Sequence, residues 1–301
     1  MRFEEFVEAV SKAVEEQTGE EVAVREVRKN NGVVYHGLNI LRRNSNSAPS
    51  IYLEGYYGQY EDGMVFSAIV DEIIRIDKEH AGAVNLDVMW FKSFENIKQV
   101  VFYKLINYEK NRELLKDIPH ERYLDLAKVY YVCVQNIARG MGTILVNNSH
   151  VECWGVDVEE IKQYAEANTE KLMPAVITPM SKVLIELMIS RGLEQEDLMC
   201  FEAFEGKDTM FVASNADRLF GAAVMSYERA FERFAKEKES DLYILPSAVH
   251  ELILVPCTCC GHVDRLKEIV REVNRTQLIK EEILSDNVYL YERGSGNIRI
   301  V

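Results

Sequence analysis

The chain has 301 residues, 48% hydrophobic and 28% charged, an ordinary globular composition sufficient for one large domain or two smaller ones. With 35 Lys and Arg against 49 Asp and Glu, the net charge is −14, which argues against direct binding to nucleic acid or anionic lipid. No apolar run approaches the ~18 residues of a membrane helix, and MRFEEFVEAVSKAVEE lacks the basic start and apolar core of a signal peptide, so the expected location is the cytoplasm.

Phe3, Phe6, Val10 and Val14 recur at helical spacing and predict a helix ending near Gly19. Glu21 to Arg28 alternates as a strand, Lys29 to Gly32 carries the Asn-Gly signal of a type I′ hairpin turn, and Val33 to Leu41 is the return strand. Asn44 to Pro49 reads as a loop. The tyrosine-rich Ile51 to Tyr60 starts as a strand, and Phe66 to Ile76 makes a helical stripe ending by Gly82. Farther on, Val100 to Ile106 and Leu124 to Val134 predict strands, with a short helix over Asn107 to Lys116 between them. Gly140 to Gly142 breaks the chain before a partner strand, Thr143 to Val146.

Asp157 to Leu172 predicts a helix with Glu159 and Glu160 in its first turn, where carboxylates suit the helix dipole. Pro174 and Pro179 bracket a linker before a helical stripe at Val183 to Met188. Leu193 to Asp208 fits either a loop or a strand pair, and Thr209 to Ala213 reads as a strand. Tyr227 to Phe234 predicts a helix leading into DLYILPSAVHELILVP, residues 241–256. Leu242 to Leu245 and Leu252 to Val255 flank a Pro-Ser break. A four-residue run with no polar alternation belongs to a strand buried on both faces, so the pair is expected as a hairpin inside a sheet. Pro246 to Val249 is the expected turn. A helix over Val263 to Val273, a strand at Val288 to Tyr291 and a terminal IRIV follow.

The expectation is an α+β fold with mainly antiparallel sheets covered by helices and αββα-type units near both ends. Its halves are residues 1–150 and 151–301, as two domains or one continuous one.

Cys257 and Cys260 have the C-x2-C spacing of a zinc knuckle, with His262 and His250 as further candidate ligands. A structural zinc site normally draws on two separated pairs, and no cysteine follows Cys260, so a loop of free thiols competes with that reading. Ser247, His250 and Glu251 have the residue types of a hydrolytic triad, but neighbours on a strand point to opposite faces. Leu254 stands where a zinc-protease H-E-x-x-H motif needs its second histidine. No G-x-S-x-G elbow or phosphate loop occurs. Tyr52, Tyr56, Tyr57 and Tyr60 are candidates for a protein interface or a half-buried sheet edge. Pro119 to Arg122 with Asp125 is either a polar site at the head of a strand or a capped turn. No cofactor is indicated.

The strings EVRKNNGVVYHGLNI, APSIYLEGYYGQYEDG, LINYEKNRELLKDIPHERYLDLAKVYYV, ILPSAVHELILVP and VREVNRTQLIKEEILSDNVYLY resemble domain-of-unknown-function family 5688, found mainly in gut Firmicutes. The resemblance spans about Val22 to Tyr291, and the C-terminal half is more distantly similar to the YtpQ-like family. It implies a bacterial cytosolic protein and brings no activity, cofactor or catalytic residue.

The functional expectation is a non-enzymatic protein that binds a protein partner. One version is an acidic decoy of a nucleic-acid-binding protein, using residues 151–210, whose 13 acids and 5 bases hold −8 of the net charge. The alternative is an enzyme or small-ligand binder whose carboxylates come from separate strands and leave no local signature.

Overall fold

The structure is a computed structural model and describes residues 1–43, 48–80, 87–136, 140–192, 208–260 and 262–301. Most of the expected Asn44 loop, the helix end at Gly82, the Leu193 to Lys207 segment and Cys200 lie outside the described residues. The fold is α+β with three antiparallel sheets.

Helix α1 (Phe3–Thr18) buries Phe6, Val10 and Val14 along one stripe. It stops at Gly19, whose φ of 69° only glycine adopts cheaply. Strands β1 (Glu21–Arg28), β2 (Val34–Leu41) and β3 (Ile51–Tyr52) form the first sheet, in that order. Helices α2 (Leu53–Glu61) and α3 (Phe66–His80) complete the unit. Its core joins Phe6, Val10, Leu38, Ile40, Ile69 and Ile73, and among the described residues its members all come from the first unit, with Ile76 packed against it. Asp77 is fully buried on α3 and survives there because the Arg42 guanidinium pairs with it.

Short helices α4 (Val88–Phe91) and α5 (Phe94–Ile97) lead into the second sheet. Strand β4 (Val101–Asn107), helix α6 (Arg112–Leu115), β5 (His120–Tyr123), β6 (Leu126–Asn136) and β7 (Gly140–Leu145) follow. The long β6 pairs with β4 on one edge and with β5 and β7, end to end, on the other. After α7 (Asn148–Trp154), helix α8 (Val158–Leu172) covers the free edge of β4. Thr169 Oγ1 accepts from Tyr103 N–H at 3.1 Å, and Asn168 Nδ2 donates to the Lys98 and Val101 carbonyls, each at 2.9 Å.

The third sheet runs β13 (Ile298–Ile300), β12 (Tyr289–Tyr291), β10 (Leu242–Ala248), β11 (Glu251–Pro256), β9 (Phe211–Asn215), β8 (Ala175–Pro179). The hairpin at 241–256 thus holds the two central strands. Helices α9 (Met180–Ser190), α10 (Glu232–Glu237) and α11 (Val263–Thr276) belong to this part, so α10-β10-β11-α11 is the second αββα unit. The second and third sheets share one core: Tyr103, Tyr130 and Val132 meet Ile161, Met225, Ile244, Leu252 and Tyr289. Val146 and Trp154, which flank the expected boundary near residue 150, both belong to that core.

Three expectations need correction. The 241–256 turn is not Pro246 to Val249. The strands run on to Ala248 and Glu251, leaving Val249 and His250 as a two-residue turn, because a bulge between Pro246 and Ala248 absorbs the proline. The Pro174–Pro179 linker is β8, an edge strand, where prolines are tolerated at strand ends. The Asn-Gly turn is a longer loop with a 3-10 turn at Asn30–Gly32, although Asn31 (φ 59°) and Gly32 (φ 69°) do supply the expected left-handed pair.

Candidate functional site

The chemistry concentrates where the three sheets meet. Strand β4 reads VFYKLIN and is buried at every position except the central lysine. Alternation along the strand puts Tyr103 and Leu105 into the shared core, while Lys104 and Ile106 face a cavity of about 270 Å³. Thr143 of β7, Phe220, Val249, His250, Lys29, Asn30, Glu281 and Glu282 complete its lining. Each of the three sheets contributes a wall directly or through an adjoining loop.

Lys104 is half-buried, and no described acceptor pairs with its ammonium, which lies 4.0 Å from the centre of the Phe220 ring. Burial, reinforced by the nearby charge of Lys29, pushes its amine down to about 8. A short buried run makes a lysine stand out energetically, since a desolvated charge without a partner costs stability. Asn30, another residue of the lining, carries an orphan of the opposite kind. Asn30 Nδ2 donates to the Glu281 carbonyl at 2.6 Å, which fixes the amide orientation and leaves the buried Oδ1 with no donor. The lining therefore carries an unpaired ammonium, while the orphan oxygen of Asn30 is closed off from solvent.

A strained loop shapes one wall. Asn215 clamps Leu219 at both ends, accepting from its N–H at 3.1 Å and donating to its carbonyl at 2.7 Å. Arg218 (φ 52°) and Phe220 (φ 51°) are forced into the left-handed region, which is unusual for a bulky side chain. Gly221 follows with no room for more. A Cβ there would lie 2.0 Å from Ser214 Oγ and 2.5 Å from the His250 carbonyl. The loop lays Phe220 flat against His250, ring centres 5.3 Å apart and planes 15° apart, with Tyr131 edge-on at 5.1 Å.

His250 is held from three directions. Phe220 N–H donates to its Nδ1 at 3.1 Å, Ser214 Oγ donates to its carbonyl at 2.8 Å, and Val249 N–H donates to the Glu282 carbonyl at 3.0 Å. With Nδ1 accepting, Nε2 carries the proton in the neutral ring.

The fourth wall arrives with the first sheet. Asn31 Nδ2 donates to the Lys280 and Ile283 carbonyls at 2.7 Å each, and Asn31 N–H donates to Asn111 Oδ1 at 2.7 Å. Asn111 returns a bond to Asn31 Oδ1 at 3.0 Å, and Asn107 Nδ2 reaches the Leu284 carbonyl at 3.0 Å. This asparagine chain holds Lys29 and Asn30 over the cavity.

The residues singled out from sequence are distributed differently. His250 lines the cavity, but Cys257, Cys260 and His262 lie at the far end of β11, about 20 Å away at strand rise. Burial, with Asp241 nearby, pushes the Cys257 thiol up to about 11, and Cys260 Sγ lies 3.8 Å from the His262 carbonyl. Among the described residues no group of three His, Cys, Asp or Glu is placed to hold a metal ion. Ser247 Oγ bonds Glu251 at 3.4 Å, apart from His250. Tyr56, Tyr57 and Tyr60 are half-buried on α2 and pack against the first core. Tyr57 sits edge-on to Phe3 and Phe6, and its hydroxyl donates to the Met1 carbonyl at 3.1 Å. Tyr52 leans on Tyr35 with Lys29 4.8 Å above its ring.

Asp125 is a second polar centre. It accepts from Ser285 Oγ (2.6 Å), Asn287 Nδ2 (2.9 Å) and Tyr289 OH (2.7 Å), tying the β5–β6 turn to the C-terminal strands. Its bonds are all made within the protein, which gives it a structural character. A larger cavity of about 630 Å³ lies beside Tyr123, Tyr227 and Arg229. There the tyrosine hydroxyls already donate to the Met225 and Met173 carbonyls, and Arg229 pairs with Glu228 and Glu232.

Lys104, Asn30 and Phe220 escaped the sequence reading. The legible signal was a lone lysine in the middle of an apolar strand.

No helix among the described residues is long and apolar enough to cross a membrane. No curated protein and no solved structure matches the chain. A family of unknown function, DUF5688, matches residues 3–293, nearly the whole length over which these three sheets and their shared cavity are built, and the chain belongs to that family.

Proposed function

We propose that the chain binds a small polar molecule in the cavity between its three sheets, and that the ligand is a short hydroxylated carboxylate. The observation that carries this reading is an unpaired Lys104 ammonium in a cavity that Lys29 also lines. An anionic group answers the lysines, and a hydroxyl suits the polar Thr143 and His250 in the lining. Lys29 adds a second cation, while Glu281 and Glu282 disfavour a ligand that is anionic throughout. The volume lies just under the ~300–1,000 Å³ of drug-sized sites, which suits a small occupant. A strained, tightly pinned wall is typical of sites whose geometry is held for a ligand.

Glycerate is a suitable probe. Calorimetric titration should show saturable binding that is lost in Lys104→Met and weakened in Asn30→Ala. Equal affinity in wild type and Lys104→Met would overturn the reading. The acidic-decoy reading draws on charge alone. Of residues 151–210, Glu166 and Glu186 are already paired with Lys128 and Arg218, and residues 193–207 lie outside the described residues.

A further inference from the structure

Building on that ligand-binding reading, we infer that Lys104 is a nucleophile that forms an imine with short hydroxylated carbonyl compounds, 2-oxo acids among them.

The geometry separates Lys104 from an ordinary structural lysine. It has no carboxylate partner among the described residues, whereas Lys128, the other lysine facing inward from this sheet, pairs with Glu166 at 2.7 Å. The two lysines sit on opposite faces of the β4–β6 pair: Lys104 lies opposite Val129 and Lys128 opposite Leu105. One strand pair therefore offers both environments, and only one contains a counter-ion. The ammonium of Lys104 rests instead on an aromatic face, which stabilises the cation without accepting its proton. Desolvation and the adjacent Lys29 then favour the free amine, two ways in which proteins activate lysines toward carbonyls. From an ordinary value near 10.5 to about 8, the free-amine fraction at neutral pH rises on the order of a few hundredfold.

The lining suits the reaction. The Lys104 nitrogen lone pair attacks the carbonyl carbon, and a C–N bond forms as the C=O π pair moves to oxygen. Nitrogen loses a proton and oxygen gains one, giving a carbinolamine. The oxygen takes a second proton and leaves as water while the nitrogen lone pair completes the C=N bond, and one solvent proton leaves the product as an iminium. A substrate carboxylate can pair with Lys29. Thr143 and the protonated nitrogen of His250 supply hydrogen-bonding groups for the departing oxygen. No oxidant or cofactor enters the balance.

The test uses the full chain with hydroxypyruvate and cyanoborohydride at pH 7.5, with peptide mapping of the trapped secondary amine. Glycerate, which has the same groups without a carbonyl, is titrated in parallel. The expected result is one adduct at Lys104, formed at least tenfold faster than at any other lysine. Lys104→Arg should give no adduct at position 104 and no compensating rapid site. Adducts spread over surface lysines with Lys104 no faster, while glycerate still binds, would overturn the imine and leave the binding pocket standing. Failure of glycerate to bind the wild-type chain would overturn both.

Discussion

Residues 3–80 close their own core around Phe6, Leu38 and Ile73, whereas the two larger sheets cannot be separated without opening the core that Tyr103 shares with Tyr289. The first unit reaches the others at the 3-10 turn of Asn30–Gly32, through side-chain amides on backbone carbonyls. Apolar burial thus makes each body cohere, and polar bonds fix how they meet. Hydrogen bonds are directional and individually modest, so they set register well and hold weakly. The candidate cavity lies along this polar seam.

Both tryptophans, Trp90 and Trp154, pack against the shared core, so their fluorescence reports that body and not the first unit. Gly221→Ala should give the largest effect. Its Cβ must displace Ser214, the His250 carbonyl and the Asn215 backbone at once, at a cost of about 3 kcal/mol or more. The tryptophan transition in urea should move to much lower concentration, while hydrogen exchange within residues 3–80 changes far less. Equal loss of protection in both regions would break the comparison. Asp125→Ala comes next. It leaves Ser285, Asn287 and Tyr289 without their acceptor and should lower the same transition by about 3 kcal/mol.

Asn31→Ala attacks the seam. It removes two bonds to carbonyls and the one accepted from Asn111, and puts alanine at φ 59°, for a total of about 2 kcal/mol. This loss should appear as faster exchange at the Asn30 turn and weaker glycerate binding, with the tryptophan transition nearly unmoved. Asn31→Gly should recover the backbone part alone.

Lys104→Met is the smallest effect and has the opposite sign. The folded-state amine is pushed down to about 8 from an ordinary 10.5, so below pH 8 both states are protonated and folding bears the full cost of the buried charge. Between the two values the unfolded chain binds more protons, and stability rises with pH. Lys104→Met should therefore gain about 1–2 kcal/mol at pH 7 and lose that upward slope between pH 8 and 10. A denaturant series across that range checks both statements.

The elements whose burial follows a simple period were legible in the sequence. Phe6, Val10 and Val14 announced α1, and Leu252 to Val255 announced a strand inside a sheet. Misplaced elements are those where a special residue has two meanings. Pro246 looked like a turn and is absorbed by a bulge, and Pro174 and Pro179 looked like a linker and bound an edge strand. The site was less legible because its members are far apart in the chain: residues 29–30, 104, 143, 220, 250 and 281–282 share no local spacing. The sequence reading drew on His250 for the wrong neighbours, since proximity to Cys257 along the chain is distance along a strand. Tyr57 and Tyr60, expected at a protein interface or a half-buried sheet edge, are half-buried on helix α2 with their rings against Phe6 of α1.

The left-handed wall at Arg218 and Phe220 has a bearing on synthesis. Residues 29 and 104 leave the ribosome long before Phe220 and Glu281, so a nascent chain can complete its first core while the cavity still lacks a side. The chamber closes only when Glu281 and Glu282 arrive, and a probe that fluoresces inside it would time that closure.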